Sequence, residues 1–588
     1  MRKLLVYMKK YRRDAVLAPV FKLVEACLDL LIPIVVAAII DHGIAQGNRP
    51  YIVKCFLLLL VMAAAGMGIS FAAQWFAARS SVGFATEIRQ RLFDHIQKLS
   101  YTELDTLGTD TLITRMTSDV NQVQNGVNLA LRLLLRSPFI VVGSMVMAFT
   151  IDVRCALVFV VTIPALSVII FGIMFASIPL FKKSQAALDR LLGTTRENLT
   201  GVRVIRAFCK EKEEVQEFDA RNEALTKMNE FVGKLSALMN PATYVVINAA
   251  TIFLIHEGAL RVNLGAIHQG DVVALYNYMA QLIIELVKLA TMIITINKSL
   301  ACGERIQSIL EVEPGMEYPR LQTQDRQPVP AGAGAEGNED AVAFHHVSFS
   351  YDGSGEDAVS DIDFSVKKGE TVGIIGGTGS GKTTIVNLIP RFYDVTQGSV
   401  EVDGSNVRDY PEGKLIERIG VVPQKAELFE GSIRENLQWG KADASDEELW
   451  AALATAQATE VVKGKDGQLD ALLEQNGRNL SGGQKQRLTI ARALVKQPEI
   501  LIMDDSASAL DFATDLNLRR AVRALGQRMT VFIVSQRTAS VRTADQILVL
   551  DDGRLVGRGT HEELMRDCGV YQEIYYSQYP EERKEAQA

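Results

Sequence analysis

The sequence predicts a two-part chain: an all-α membrane domain of six spanning helices, then a soluble α/β domain built on a largely parallel sheet. Three observations predict it. Residues 15–300 hold long runs without charge, of which Cys155–Phe181 is the cleanest. Proline, glycine and charged residues then crowd a stretch, PGMEYPRLQTQDRQPVPAGAGAEGNED, with little apolar periodicity. Beyond it, short apolar strands (AVAFHHVSFSY, ETVGIIG, ILIMDD, TVFIVS, QILVL) alternate with helical stretches, the pattern of a parallel sheet covered by helices. The expected boundaries are a membrane domain over 1–313, a linker over 314–340, a soluble domain over 341–575 and a polar tail over 576–588.

Composition narrows the function classes. The 588 residues are 48% hydrophobic and 22% charged, with a formal net charge of −7, which argues against a nucleic-acid partner because that would need a basic face. The six cysteines are scattered with no C-x-x-C pair, so neither a zinc site nor a disulfide framework is suggested.

The leader MRKLLVYMKKYRRD is basic and precedes an apolar segment, Ala15–Ile40, too long for a signal peptide core. It reads as a first span with a cytoplasmic N-terminus. Cys55–Ala78 and Cys155–Phe181 are uncharged, and at about 1.5 Å per residue each crosses a hydrocarbon core of roughly 30 Å. Leu129–Ile151, begun by Arg132 and Arg136, Leu235–Ile255 and Val272–Ile296 complete six. Segments 79–128 and 182–234 are long, charged and helical in pattern, and basic residues concentrate there, which places them in the cytoplasm.

Charges within the spans are costly unless they pair or face water. Glu285 and Lys288, three apart, either pair structurally or line a polar path. Glu25 and Asp29, four apart, have like sign and cannot neutralise each other, so they are expected to line a polar cavity. Glu25, Asp29 and Glu285 are thus the candidate substrate-cavity residues.

In the soluble half, GGTGSGKTT comprises Gly376, Gly377, Thr378, Gly379, Ser380, Gly381, Lys382, Thr383 and Thr384. It fits G-x-x-x-x-G-K-[ST] between a strand and a helix. Its glycines let backbone N–H groups curl around phosphate oxygens. Lys382 would reach the β- and γ-phosphates, and Thr383 would hold Mg²⁺. Asp504, ending the strand ILIMD, can organise Mg²⁺ through its water shell. Tyr351, closing HVSFSY, is either an adenine-stacking ring or an ordinary strand-end aromatic. In NLSGGQKQRLTIARAL, Ser481, Gly482 and Gly483 precede a helix. They are either a glycine-rich helix start or a second anion cradle, one that serves nucleotide held by a second domain.

With these residues in place, the chain resembles a half-transporter of the ATP-binding cassette (ABC) exporter family over nearly its whole length. GGTGSGKTT resembles the Walker A loop, ILIMD the Walker B strand and SALD (Ser508–Asp511) the D-loop. LSGGQ, ending in Gln484, matches the family signature, and VVPQ resembles the Q-loop with Gln424 in its named position. The resemblance implies ATP and Mg²⁺ as ligands, with Gln424 beside the metal and Tyr351 stacked on adenine. It further implies a head-to-tail pair of nucleotide domains, and segments near 102–108 and 207–214 as coupling helices.

Two positions depart from the family pattern. The family has Glu after the Walker B Asp, where this chain has Asp505, and His in the switch, where this chain has Gln536. Asp retracts the carboxylate by about 1.5 Å, and misplacements of roughly 1 Å cost about 10²-fold. Gln donates a hydrogen bond but carries no positive charge. Both changes fall on the site built from this chain's own Walker motifs, while LSGGQ is intact. The pattern resembles the degenerate-site subunit of a heterodimeric exporter of amphiphilic, multidrug-type substrates in a bacterial plasma membrane. Its nucleotide domain and both termini are expected in the cytoplasm. The competing expectations are a slow homodimeric exporter of lipid or peptide, and a membrane-anchored nucleotide sensor that transports nothing.

Overall fold

The computed structural model describes residues 3–319, 340–351, 355–526 and 529–582. Most of the expected linker and the end of the polar tail lie outside them. By internal packing the chain divides into two units, Met1–Gln97 with Thr109–Val312, and Lys98–Gly108 with Glu313–Ala588.

Among the described residues, the first unit holds six helices long and apolar enough to cross a membrane: Leu4–Ile44, Arg49–Ile96, Thr109–Ile151, Val153–Thr200, Glu211–Asn263 and Gln269–Leu310. Each is far longer than the apolar run that predicts it. Arg49–Ile96 has 48 residues, about 72 Å at 1.5 Å per residue, more than twice a hydrocarbon core of roughly 30 Å. The charged segments simply continue the same helices. The third helix breaks between Leu133 and Arg136. Pro138 lies one turn beyond, where it lacks the N–H that would bond back to Leu134.

Two short helices join the long ones. Tyr101–Leu107 lies where expected, with a Ser100–Glu103 capping box. The second is Val202–Ala207, not a segment starting at 207. Cys209 takes a positive φ of 53° and ends it. Glu211, Glu213 and Glu214 then favour the start of the next long helix, because carboxylates suit a helix N-terminus.

In the second unit, six strands run in the order Arg554–Gly559, Gln546–Asp551, Thr371–Gly376, Thr530–Val534, Ile500–Asp504 and Ile419–Val422. All pairings are parallel except that of the outermost strand, Arg554–Gly559. The central strands are buried on both faces, as parallel strands covered by helices must be. A second, antiparallel sheet orders Val359–Lys367, Asp340–Phe349, Gln397–Val402 and Ser405–Asn406. Because Thr371–Gly376, Thr530–Val534 and Ile500–Asp504 are adjacent and parallel, the loops at their carboxyl ends converge. Such a crevice is where open α/β sheets bind ligands.

Candidate functional site

The loop after Thr371–Gly376 requires its glycines. A Cβ on Gly376 would stand 2.2 Å from the Leu550 carbonyl oxygen, and one on Gly381 would stand 2.5 Å from Val359 Cγ1. Gly379 and Gly381 have φ of 82° and 89°, which L side chains rarely adopt. This shape carries the loop into the helix Lys382–Leu388. Lys382 is buried, and its ammonium donates to the carbonyls of Gly376 (3.1 Å) and Gly377 and to Ser380 Oγ (3.4 Å). Burial pulls its pKa below the ordinary lysine value, while the charges of Asp505 and Asp504 oppose that shift. A buried cation hydrogen-bonded to neutral oxygens fits a site for an anion.

Thr383 Oγ1 donates to both oxygens of Asp504, at 3.1 and 3.0 Å, so the two expected Mg²⁺ partners are already together. Asp504 is 6% exposed. Burial raises its pKa and the Asp505 charge adds to this, against the Thr383 hydrogen bond and Lys382. Burial also raises Asp505, opposed by Lys382, Arg537 and the Gln424 side chain. Two adjacent acids that resist ionisation, beside a threonine hydroxyl, suit a divalent cation carrying phosphate.

Asp505 has a feature no sequence pattern announces, a φ of 42°. Its N–H donates to the Val534 carbonyl (3.0 Å), and its own carbonyl accepts from Ser508 N (3.2 Å) and Ser508 Oγ (2.8 Å). Both sides of the residue are pinned, so the backbone cannot advance to offset the short side chain. A cavity of about 350 Å³ is lined by Tyr351, Thr378 through Thr384, Gln424, Asp504, Asp505, Ser535 and Gln536, among others. Tyr351 stands edge-on to Phe349 and Tyr393, and its hydroxyl lies 3.2 Å from Thr384 Oγ1.

Ser481, Gly482, Gly483 and Gln484 do not line this cavity. They start the helix Gly482–Val495 elsewhere on the domain, where the Ser481 and Gln484 side chains cap one another reciprocally. Ser481 and Gly482 are exposed. The N–H groups of this first turn have no intrahelical acceptor.

The intramembrane charges differ from expectation. Glu25 and Asp29 are not left uncompensated. Lys22 Nζ donates to Glu25 (2.5 Å) and to Ser70 Oγ (3.1 Å), and Arg136 donates to Asp29 (2.9 Å). Glu285 accepts from Arg136 (2.8 Å), Ser137 Oγ (2.7 Å) and Lys288 (3.0 Å), so its pairing with Lys288 is real but shared. Arg136 ties the first, third and sixth helices together. Lys22 was legible three positions before Glu25, whereas Arg136 lies 107 residues from Asp29.

Comparison with known proteins bears on the family and the fold. Residues 16–286 match the family model for the ABC transporter transmembrane region, and residues 359–508 match that for ABC transporter. The ABC transporter ATP-binding protein YfiB of Bacillus subtilis is 35% identical over 590 residues, covering 100% of both chains. The ATP-dependent lipid A-core flippase of Desulfotalea psychrophila is 32% identical over 494 residues, 84% of each chain. In fold, the chain is similar to a bacterial Atm1-family ABC exporter with ATP bound (TM-score 0.76, 23% identity), over 96% of this chain and 98% of that one.

Proposed function

The chain belongs to the ABC transporter family, as an exporter with membrane-spanning and nucleotide-binding domains in one polypeptide, and we propose that it is the slow-site subunit of a heterodimer. The observation that carries this reading is Asp505, a carboxylate one methylene short on a backbone pinned at both its N–H and its carbonyl. Gln536, beside it on the same cavity, supplies no positive charge for the γ-phosphate.

In this reading Lys382 neutralises the β- and γ-phosphates, and Thr383, Asp504 and Gln424 hold Mg²⁺. The glycine loop supplies backbone donors, and Tyr351 takes the adenine ring. Asp505 orients water poorly, so ATP is retained rather than cleaved. Ser481, Gly482, Gly483 and Gln484, which lie off the cavity with the first two exposed, close over nucleotide held by a partner that carries Glu and His. Nucleotide sandwiching then drives the spans from inward- to outward-facing, with the nucleotide domain and both termini cytoplasmic in a bacterial plasma membrane.

The substrate in this reading is an amphiphile. The ion-paired network in otherwise apolar helices supports a polar path, and because its carboxylates are compensated it carries no bare charge that would select cations. A lipid substrate is the second reading, favoured by the 32% identity to a lipid A-core flippase.

The test is ATP hydrolysis by the purified chain alone and after co-expression with a half-transporter carrying Glu and His. Slow turnover alone and restoration by the partner support the proposal. Fast turnover by the chain alone overturns it. Flux of fluorescent lipid against uncharged and cationic amphiphilic dyes in proteoliposomes separates the two substrate readings.

A further inference from the structure

The switch that carries Gln536 is held from an unexpected direction. Its first residue is tied to the sheet, because Ser535 N–H donates to the Ile374 carbonyl (3.1 Å). Ser535 Oγ then accepts from Arg537 N–H (3.0 Å). Two further backbone groups of the switch, the Gln536 carbonyl and the Thr538 N–H, turn to a side chain from the C-terminal helix Gly569–Gln578. Gln578 Oε1 accepts from Thr538 N–H and Thr538 Oγ1, both at 3.0 Å, and Gln578 Nε2 donates to the Gln536 carbonyl at 2.8 Å. A backbone N–H can only donate and a carbonyl only accept, so the orientation of the amide is fixed by its partners.

The chemistry of this clamp is specific. One side chain both donates and accepts across two residues, which a primary amide can do and a carboxylate or an apolar group cannot. The base of the clamp is firm. Tyr571 and Tyr575 of the same helix are buried, the Tyr571 hydroxyl lies 2.9 Å from His561 Nδ1, and the Tyr575 hydroxyl donates to Glu582 (2.7 Å). Thr538, at the other end, is fully buried. Gln536 itself is exposed and lines the nucleotide cavity. With its carbonyl and the N–H two residues on both held, the backbone that carries its side chain is fixed at the rim of the cavity.

We propose that Gln578 is a positioning residue for the ATP site, holding the Gln536 switch toward the nucleotide and so linking the C-terminal helix to nucleotide retention. This rests on Gln536 acting as the switch residue, not on whether the site hydrolyses ATP slowly or fast.

The test is a double-mutant cycle in the full-length chain in lipid nanodiscs, reading the release rate of Mg·ATP after a chase. Gln578→Ala is expected to speed release about fivefold, the scale of one lost hydrogen bond. Gln578→Glu keeps an acceptor for Thr538 but sets an anion against the Gln536 carbonyl, and is expected to speed release at least as much. In a Gln536→Ala background both effects should shrink to less than about twofold, since interaction energies appear only between coupled residues. Equal acceleration in both backgrounds, or a lowered melting temperature with release unchanged, overturns the proposal. If the unmutated chain turns over ATP quickly, the slow-site reading fails, and the same cycle read on kcat still tests Gln578.

Discussion

Lengthening the short carboxylate is the most direct probe of the nucleotide site. Asp505→Glu adds one C–C bond, about 1.5 Å, along a side chain whose backbone is anchored to Val534 and Ser508. Misplacing a catalytic group by roughly 1 Å costs about 10²-fold, so restoring the reach should raise kcat of the chain alone about 10- to 100-fold. The lower end applies while Gln536 still limits the site, and Gln536→His added to it should approach the upper. The gain has a structural cost. Asp505 sits at a φ of 42°, a region in which Asp is enriched several-fold over most residues. Placing Glu there should cost about 1 kcal/mol, lowering Tm by about 2–4 °C. Phosphate release at saturating Mg·ATP, with Lys382→Ala as the blank, measures the first effect, and scanning fluorimetry the second. An Asp505→Glu chain no faster than the parent would refute the reach argument. So would an Asp505→Ala chain slowed 100-fold, because Asp505 would then already be placing the water.

Three further outcomes are expected. Burial raises the Asp504 pKa in the folded chain, so this group favours the folded state most at low pH, and that contribution is lost as pH rises through the folded pKa. Asp504→Asn should therefore flatten the fall in Tm as pH rises above the ordinary carboxylate range in nucleotide-free protein, while abolishing the added stability that Mg·ATP gives. Arg136→Leu leaves Asp29 without its guanidinium and Glu285 with only Ser137 and Lys288, and should cost about 3 kcal/mol in a detergent melt, part of it recovered by Glu285→Gln. Tyr393→Phe removes the 2.7 Å hydrogen bond to Asp105 and should cost about 1.5–3 kcal/mol in that unit while leaving ATP affinity within about twofold, by isothermal titration.

Much of this molecule is written in local sequence patterns. The loop after Thr371–Gly376 is legible because its tight path forces glycine at fixed spacing, and the strand that ends in Asp504 because its apolar run stops at a carboxylate. The six spans were legible from their long apolar cores, but their ends were not, since helical charged segments such as IRQRLFDHIQKL continue the same helices through Ile96. The pairing of Asp29 with Arg136 and the clamp of Gln578 on Gln536 were invisible for a common reason. Each joins residues far apart in sequence, and no local period encodes a partner at 107 or 42 positions. The left-handed φ of Asp505 was hidden because Asp is compatible with it but does not require it.

The short helix Tyr101–Leu107 has a consequence for taking the protein apart. Although it lies between the second and third long helices in sequence, it packs with the C-terminal unit. Tyr101 lies 4.6 Å from Phe392 and 6.0 Å from Tyr393, between ring centroids. No single cut therefore separates the two bodies cleanly. A fragment starting at residue 313 would leave the aromatic surface of Phe392 and Tyr393 bare to water, inviting self-association. Grafting residues 98–108 onto that fragment is the natural route to a soluble nucleotide-binding module.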